Sequence, residues 1–168
     1  MPEGLTIRHV TPGDAGAIAA IYNHYVTGSV VTFEESPVTA EDMATRIAAV
    51  TMSHPWLVAE KDGAMVGYAY AGKYHARAAY RHTVETTIYL DHRCHGRGLG
   101  TALYRALLER LPGLGIHAAI GSISLPNPAS IALHEKMGFA LVGRFPQIGF
   151  KFGQWIDVVY LHRTFGAP

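Results

Sequence analysis

Residues 84–111 read VETTIYLDHRCHGRGLGTALYRALLERL, and this stretch decides the fold. An apolar, β-branched run ends at Leu90, three glycines follow at alternate positions, and leucines at helical spacing continue until Pro112. The predicted order is strand, glycine loop, helix. Ligands of open sheets bind beyond the carboxyl ends of the strands. We therefore expect the ligand site of this protein at this turn.

The sequence upstream predicts three strands and two helices in a simple order. Residues 5–10 alternate like a strand, and an apolar stripe after Pro12 is typical of a helix. Thr39, with Asp42 three residues later, resembles a capping box that opens a second helix running to about Met52. Asp62-Gly63 is the turn pair of a tight hairpin, so the runs on either side are expected to be antiparallel strands.

The segments further along the chain complete a layered architecture. Residues 73–82 are polar and basic without a clear period and are predicted as a loop. Residues 116–124 are predicted as a strand and 128–137 as a helix ended by Gly138, followed by closing strands at 139–142 and 155–165. The expected fold class is α/β (α+β), with a mixed sheet and helices on both faces in one domain.

Composition excludes several classes of function. The 168 residues are 49% hydrophobic and 16% charged, which is typical of a folded globular chain. Lysine plus arginine exceed the acidic residues only by 14 to 13, so we expect neither a nucleic-acid nor a membrane partner. With one cysteine, no signal-peptide pattern and no long apolar run, a cytoplasmic location is expected.

The glycine loop has the features of an anion site. Between a strand and a helix, glycines let the backbone approach a ligand, and the first N–H groups of the helix point at it. The nucleotide P-loop and the dinucleotide fingerprint are both missing, because neither Gly-Lys-Ser/Thr nor Gly-x-Gly-x-x-Gly with its distant acid occurs. A diphosphate of another ligand therefore remains the expected occupant.

The loop resembles the pyrophosphate loop of the GNAT acetyltransferases, which reads Arg or Gln, two residues, Gly, one residue, then Gly or Ala. Residues 93–98 match that pattern in full, and residues 127–139 resemble the superfamily's second coenzyme A segment. Over nearly the whole chain the sequence is similar to the phosphinothricin and methionine sulfoximine N-acetyltransferases, on residues 23–25, 55–60, 83–85, 133–135 and 149–157. The resemblance implies a GNAT fold with a central, mostly antiparallel twisted sheet, in one N-acetyltransferase domain at 1–168.

This resemblance also implies how acetyl-coenzyme A, the co-substrate, is held. Backbone groups of Ile88, Tyr89 and Leu90 would pair with the pantetheine arm, and Asn127 would hydrogen-bond to it. The loop and the start of the following helix would hold the diphosphate, through Arg93, Gly96, Arg97, Gly98, Leu99, Gly100 and Thr101.

The expected reaction transfers acetyl to the α-amino group of a small amino acid, directly within a ternary complex. A free amine is mostly protonated at neutral pH, so a base must accept a proton. Glu85 matches the family's base, and its apolar neighbours imply burial that raises a carboxyl pKa; a solvent-facing strand end is the alternative interpretation. His134 is the candidate proton donor to the thiolate, where many superfamily members carry tyrosine. A structural histidine fits the sequence equally well, and Tyr160 is a weaker alternative acid.

The acceptor pocket is expected around the basic loop. A small zwitterion needs fixed donors, which the loop supplies. The candidate substrate residues are Phe33, His75, Arg77, Arg81, Thr86 and Thr87, beside Glu85. Phe150, Phe152 and Trp155 would close the pocket or pack a dimer, and the resemblance implies a homodimer.

Three other hypotheses stay open on the sequence. His92, Cys94 and His95 suggest a zinc or cysteine-nucleophile enzyme, but the CxxC and HExxH patterns are missing, so no metal is expected. A coenzyme A sensor would keep the glycine loop without needing Glu85 or His134. The acceptor would alternatively be an ordinary amino acid or a peptide.

Overall fold

The computed structural model describes residues 1–94, 96 and 98–166. In this part of the chain four α-helices accompany seven strands. The helices are α1 (Ala15–Gly28), α2 (Ala40–Thr51), α3 (Leu99–Leu108) and α4 (Pro128–Lys136). The strands are β1 (Leu5–His9), β2 (Trp56–Lys61), β3 (Ala64–Lys73), β4 (Thr83–Leu90), β5 (Ala118–Ser124), β6 (Ala140–Lys151) and β7 (Gln154–Thr164). Among the described residues, no helix is both long and apolar enough to span a membrane.

All seven strands belong to one sheet, in the order β1-β2-β3-β4-β5-β7-β6. Every neighbouring pair is antiparallel except β4 and β5, which run parallel. The parallel pair lies in the centre of the sheet, directly before the glycine loop. The prediction of a mixed, mostly antiparallel sheet is confirmed.

Helices cover both faces of the sheet, because successive side chains of a strand point to opposite faces. Trp56 and Val58 pack with α1 and α2, whereas Leu57 and Ala59 pack with the core that contains α3. Each face buries its own cluster of apolar side chains, and the expected layers are confirmed. The sheet therefore separates two sides on which different chemistry can be placed.

Several local predictions are confirmed in detail. Thr39 Oγ1 accepts the amide N–H of Asp42 at 3.0 Å, the capping box that opens α2. The β2–β3 turn places Asp62 at φ 52° and Gly63 at φ 80°, as a tight hairpin requires. The basic loop contains one short 3-10 turn, Ala78–Tyr80.

The extent predicted for the strand after Gly138 is wrong. Residues 139–142 were expected to form it, whereas β6 continues to Lys151. Register shifts between Leu141 and Gly143 and between Phe145 and Gly149 break the alternation, and Gln147 has φ 52°. These irregularities, with Pro146 between them, remove the period-two pattern from which a strand is recognised.

Candidate active site

The central feature of the site is a fork between the two parallel strands. β4 and β5 pair at three positions, Thr83 with Ala118, Val84 with Ala119 and Glu85 with Ile120. Beyond Glu85, β4 continues to Leu90 paired with β3 alone, while β5 continues to Ser124 paired with β7 alone. A cavity of about 440 Å³ opens between them, lined by Tyr25, Val31, residues 85–90, residues 122–124, Asn127, Ala129, Ser130, Leu133 and His134.

Glu85 lies at the branching point of this fork. Val84 packs with the core on the α3 side and Tyr89 with the α1–α2 side, so alternation sets Glu85 on the α1–α2 face. The carboxyl group is half-buried, and this burial raises its pKa above the usual value, while the nearby His75 acts in the opposite direction. A raised pKa is the property of a carboxylate that can accept a proton near neutral pH.

His134 reaches the cavity from the other face of the sheet. It is 4% exposed on α4, and its ring makes edge contacts with Tyr104 and Phe139 at centroid distances of 5.0 and 5.1 Å. Nδ1 lies 2.8 Å from the carbonyl oxygen of Ser130, and a carbonyl can only accept, so Nδ1 carries the hydrogen. Burial lowers the pKa of His134, so the neutral ring with Nε2 as an acceptor predominates.

The strand residues beside Glu85 divide between the two faces. Thr86 is buried, and its hydroxyl shares a 2.7 Å hydrogen bond with the hydroxyl of Tyr104 on α3. Thr87 is half-buried on the Glu85 face and lines the cavity. Tyr25 donates to the carbonyl oxygen of Leu90 at 2.6 Å and so ties α1 to the end of β4.

The glycine loop leads from β4 into α3 with backbone that suits glycine. Gly96 and Gly98 have φ of 79° and 73°, and α3 begins at the next residue. A Cβ at Gly100 would come within 3.2 Å of Leu90, which explains a glycine at this contact. Leu99 is buried, so only its backbone faces a ligand, and Thr101 lies beside Gly98 at the helix start.

Arg93 is held in place by Asp91, the first residue after β4. Its guanidinium donates to both carboxyl oxygens of Asp91, at 3.0 and 2.7 Å, and lowers the pKa of Asp91 to about 2. The remaining N–H groups of this exposed side chain point away from that ion pair. The candidates His95 and Arg97 lie outside the described residues.

Asn127 opens α4 and borders the cavity. Its Oδ1 accepts the amide N–H of Ser130 at 3.2 Å, an N-cap that sets the direction of the helix. The cap uses the acceptor of the amide, so the Nδ2 donors are the ones that a ligand in the cavity can engage.

Four of the six candidate acceptor residues beside Glu85 lie outside the fork. Tyr74, His75 and Tyr80 form an aromatic group in which Tyr74 is half-buried, with the ring of His75 4.0 and 5.1 Å from the rings of Tyr74 and Tyr80. Arg77 and Arg81, on the same loop, are exposed. Phe33 packs so closely against Gly149 that a Cβ there would overlap its ring. These four candidates do not line the cavity, although His75 is near enough to influence Glu85.

Three further candidates have their own surroundings. Tyr160 is half-buried opposite Ser122, edge-on to Phe145 at 5.4 Å, and is not part of the cavity lining. His92 stacks on His24 with ring centroids 3.7 Å apart, and Cys94 packs against the core. Within the described residues, no group of three or more His, Cys, Asp or Glu could share a metal ion.

Sequence reasoning missed several side chains that build the site. Tyr25 was placed in an apolar stripe and among the residues that carry the resemblance, without a role in the site, and Tyr104 and Ser124 were not singled out. In the sequence, such a role is indicated only by a hydroxyl on an otherwise apolar face, or by a lysine such as Lys151 within an aromatic run, because a buried polar group needs a partner. Their partners are distant along the chain, so their roles emerge only when the strands assemble.

Comparison with known proteins identifies the family. The acetyltransferase (GNAT) domain model matches residues 7–160. The phosphinothricin N-acetyltransferase of Streptomyces viridochromogenes is 40% identical over 162 residues, 96% of this chain and 88% of that protein. The L-methionine sulfoximine/L-methionine sulfone acetyltransferase of Salmonella typhimurium is 34% identical over 158 residues, 94% and 92% of the two chains.

A solved structure agrees with these sequence relatives. A GNAT phosphinothricin acetyltransferase from Sinorhizobium meliloti, in complex with acetyl-coenzyme A, superimposes with a TM-score of 0.93 at 39% identity, covering 97% of this chain and 89% of that one. The chain belongs to the GNAT acetyltransferase family and is an acetyl-coenzyme-A-dependent N-acetyltransferase.

Proposed function

We propose that this enzyme transfers the acetyl group of acetyl-coenzyme A to the α-amino group of a small amino acid such as phosphinothricin, methionine sulfoximine or methionine sulfone. The single observation that carries the mechanism is the half-buried Glu85 at the branching point of the fork, inside the cavity. The names of the relatives, at 34–40% identity over nearly the full chain, support this acceptor class.

Glu85 acts as the general base in this proposal. Its carboxylate accepts a proton from the acceptor's ammonium group, directly or through one water. The neutral nitrogen then attacks the thioester carbonyl carbon, a C–N bond forms, and the C–S bond breaks with release of the coenzyme A thiolate. Glu85 passes this first proton to water before the attack, so its carboxylate can accept the second proton, which the positively charged nitrogen of the intermediate loses as the amide forms. Of the two protons lost by the nitrogen, one is released to solvent and one balances the protonation of the departing thiolate.

His134 enters the mechanism as a positioning group rather than as the proton donor. Donation would need an imidazolium with hydrogen on Nε2, and burial disfavours that form. Nε2 instead offers a fixed acceptor in the cavity wall, held by the Nδ1 hydrogen bond to Ser130. The thiolate, with an ordinary pKa of about 8.5, can leave unprotonated and take its proton from water.

The fork and the glycine loop suit acetyl-coenzyme A. Ile88, Tyr89 and Leu90 lie on the part of β4 that has no β5 partner, so an extended ligand can add to this edge of the sheet. Asn127 is available at the same cavity, and the N-terminus of α3, with Gly96, Gly98, Leu99, Gly100 and Thr101, suits the diphosphate, as does Arg93.

The acceptor is proposed to enter on the α1–α2 face, next to Glu85. His75, Arg77 and Arg81 provide cationic or donor groups on an exposed loop on that side, which suits a carboxylate and a second polar oxygen group. Thr87 and Phe33 complete the acceptor's surroundings. A small anionic amino acid fits this arrangement better than a peptide.

The test is release of free coenzyme A thiol from acetyl-coenzyme A with a panel of acceptors. The panel contains phosphinothricin, methionine sulfoximine, methionine sulfone, the natural amino acids and one peptide. Selective turnover of the first three supports the proposal. Turnover of natural amino acids or the peptide alone would reject the substrate class, and binding of coenzyme A without any turnover would favour the sensor hypothesis.

We further propose that the protein is a homodimer built on the β6–β7 hairpin. β6 is an edge strand of the sheet, and the hairpin exposes a group of large apolar side chains. Its exposed members are Leu141, Val142, Phe145, Ile148, Phe150, Phe152 and Trp155. Patches of this kind mark protein–protein contacts. Light scattering of the wild type and of Trp155→Glu tests this: a dimer that becomes a monomer supports the interface, and a monomeric wild type rejects it.

A cytoplasmic location and a single working domain across residues 1–168 remain part of the proposal. The family match over residues 7–160 and the one free thiol, Cys94, support them, since a reducing compartment keeps thiols free. Cell fractionation tests the location.

A further inference from the structure

Lys151, near the end of β6, is a buried cation that the acetyl-transfer mechanism does not use. Its side chain is 0% exposed. Burial lowers its pKa, while the neighbouring carboxylates of Glu35 and Glu34 oppose that shift. Burying an ammonium group costs free energy unless each N–H finds a partner, so its contacts indicate what the residue does.

Both hydrogen bonds of Lys151 lead to the end of α1 and the segment that follows it. Nζ donates to the carbonyl oxygen of Val26 at 2.8 Å and to that of Thr32 at 2.8 Å. The ring of Phe152 lies 5.0 Å away, within reach of a cation–π contact. The first hydrogen bond satisfies one of the last carbonyls of a helix, where a cation also complements the helix dipole.

The segment after α1, residues 29–38, borders the cavity, and Lys151 holds its first half. Val31 lines the cavity directly. Ser124 on β5, which also lines it, donates to the carbonyl oxygen of Val30 at 2.6 Å. The ring of Phe33 rests on Gly149 of β6. Three contacts from two distant strands therefore fix residues 30–33, and Lys151 supplies the only charged one among them.

We propose that Lys151 is a positioning residue for the acceptor, acting through the 29–38 segment. Its ammonium group holds Val31, which lines the cavity, and the nearby Phe33 in place beside the Glu85 face of the fork. The inference rests on the proposed function in one respect, that the amine enters on this face. In the proposed function acetyl-coenzyme A binds along β4 and the glycine loop, whereas the amine lies against the segment, so the two substrates should respond differently to loss of Lys151.

The kinetic test compares Lys151→Met with Lys61→Met, a control on β2 remote from the fork. Methionine fills the space but offers no donor to the two carbonyl oxygens. For Lys151→Met we expect the KM of the amine to rise about tenfold while the KM of acetyl-coenzyme A changes less than about twofold, a split that general destabilisation does not produce. Equal changes in both constants, or no change in either, would overturn the inference. Lys151→Arg, which keeps a cation and donors, should recover part of the loss.

A second measurement does not depend on turnover. Amide hydrogen exchange of the full-length protein should accelerate in residues 29–38 of Lys151→Met and stay unchanged in β2 and β3. Ser124→Ala, which releases Val30 from β5, should accelerate the same segment and serves as the positive control. If Lys151→Met does not fold, Lys151→Arg takes its place, with a smaller acceleration expected because arginine keeps a cation and donors. Unchanged exchange in the segment rejects the role of Lys151. A wild type that acetylates no amine rejects the proposed function instead, because the exchange comparison still applies.

Discussion

Substituting Gly121 with alanine should damage the site through a single steric contact. Gly121 lies on β5 directly beneath the ring of His134. A Cβ at this position would be 2.6 Å from Cδ2 and 2.7 Å from Nε2, whereas ordinary contact begins at 3.4 Å, so the ring must retreat by about 0.8 Å. Tyr104, Phe139 and the hydrogen bond to Ser130 oppose that movement.

The magnitude follows from the cost of overpacking a core. Forcing an extra methyl group into a packed site costs about 1–3 kcal/mol. For a chain of this size, roughly 2–4 °C of melting temperature corresponds to each kcal/mol, so Gly121→Ala should melt about 2–12 °C lower than the wild type. Turnover should fall as well, because Nε2 of His134 moves away from its place in the cavity.

The assay is thermal unfolding combined with thiol release, in a double-mutant cycle with His134→Ala. Because His134→Ala removes the ring and with it the clash, adding Gly121→Ala to that variant should lower the melting temperature only slightly. Gly143→Ala on β6 is the matched strand control, since a Cβ there meets nothing within 4 Å. The steric argument would be refuted if Gly121→Ala melts like the wild type. It would also be refuted if the stability loss of the double variant equals the sum of the losses of the two single variants.

Three other predictions concern charge and catalysis. Glu85→Gln should lower turnover at pH 7 by roughly 10²- to 10⁴-fold, and the loss should shrink at higher pH because more of the amine is then free of its proton. The melting temperature should not fall, because burial disfavours the ionised carboxylate that the substitution removes. An unchanged rate at pH 7 removes Glu85 from the mechanism. His134→Ala should retain acetyl-coenzyme A binding in calorimetry while turnover falls; full activity would make His134 purely structural. Arg8 lowers the pKa of Asp14 from 3.8 to about 2, so this pair stabilises the fold above about pH 4 and the contribution is lost as the pH falls towards 2. Melting curves against pH should therefore show a shallower acid loss in Asp14→Asn, and identical slopes would contradict the assignment.

The sequence was informative where one local pattern controls the outcome. Turn chemistry at Asp62-Gly63, the capping box at Thr39 and the glycine loop after Leu90 each depend on neighbouring residues, and the structure has them as predicted. The predicted β6 ended too early because the register shifts and Pro146 remove the alternation of apolar and polar residues. In the structure, pairing with β7 continues the strand to Lys151. Pairing with another strand is a non-local cause, which a local pattern does not contain.

The candidate site shows the same division. Glu85 and the glycine loop were found because a family motif covers them, and the position of Glu85 in the fork is compatible with its proposed role. The tautomer of His134, by contrast, depends on a carbonyl that only the helix geometry brings to Nδ1. Its predicted part as a proton donor followed from the ordinary pKa of histidine, and burial among Tyr104, Phe139 and Gly121 changes that pKa.

By itself, the sequence determined the family, the order of most elements and the place of the ligand loop, because these depend on short-range backbone preferences and on motifs of a few residues. Only the tertiary structure decided where β4 and β5 part, which protonation state His134 favours, and that Lys151 reaches Val26 and Thr32 from 125 and 119 residues away. Burial and hydrogen bonding between distant segments set these properties, and such contacts exist only after the sheet has assembled.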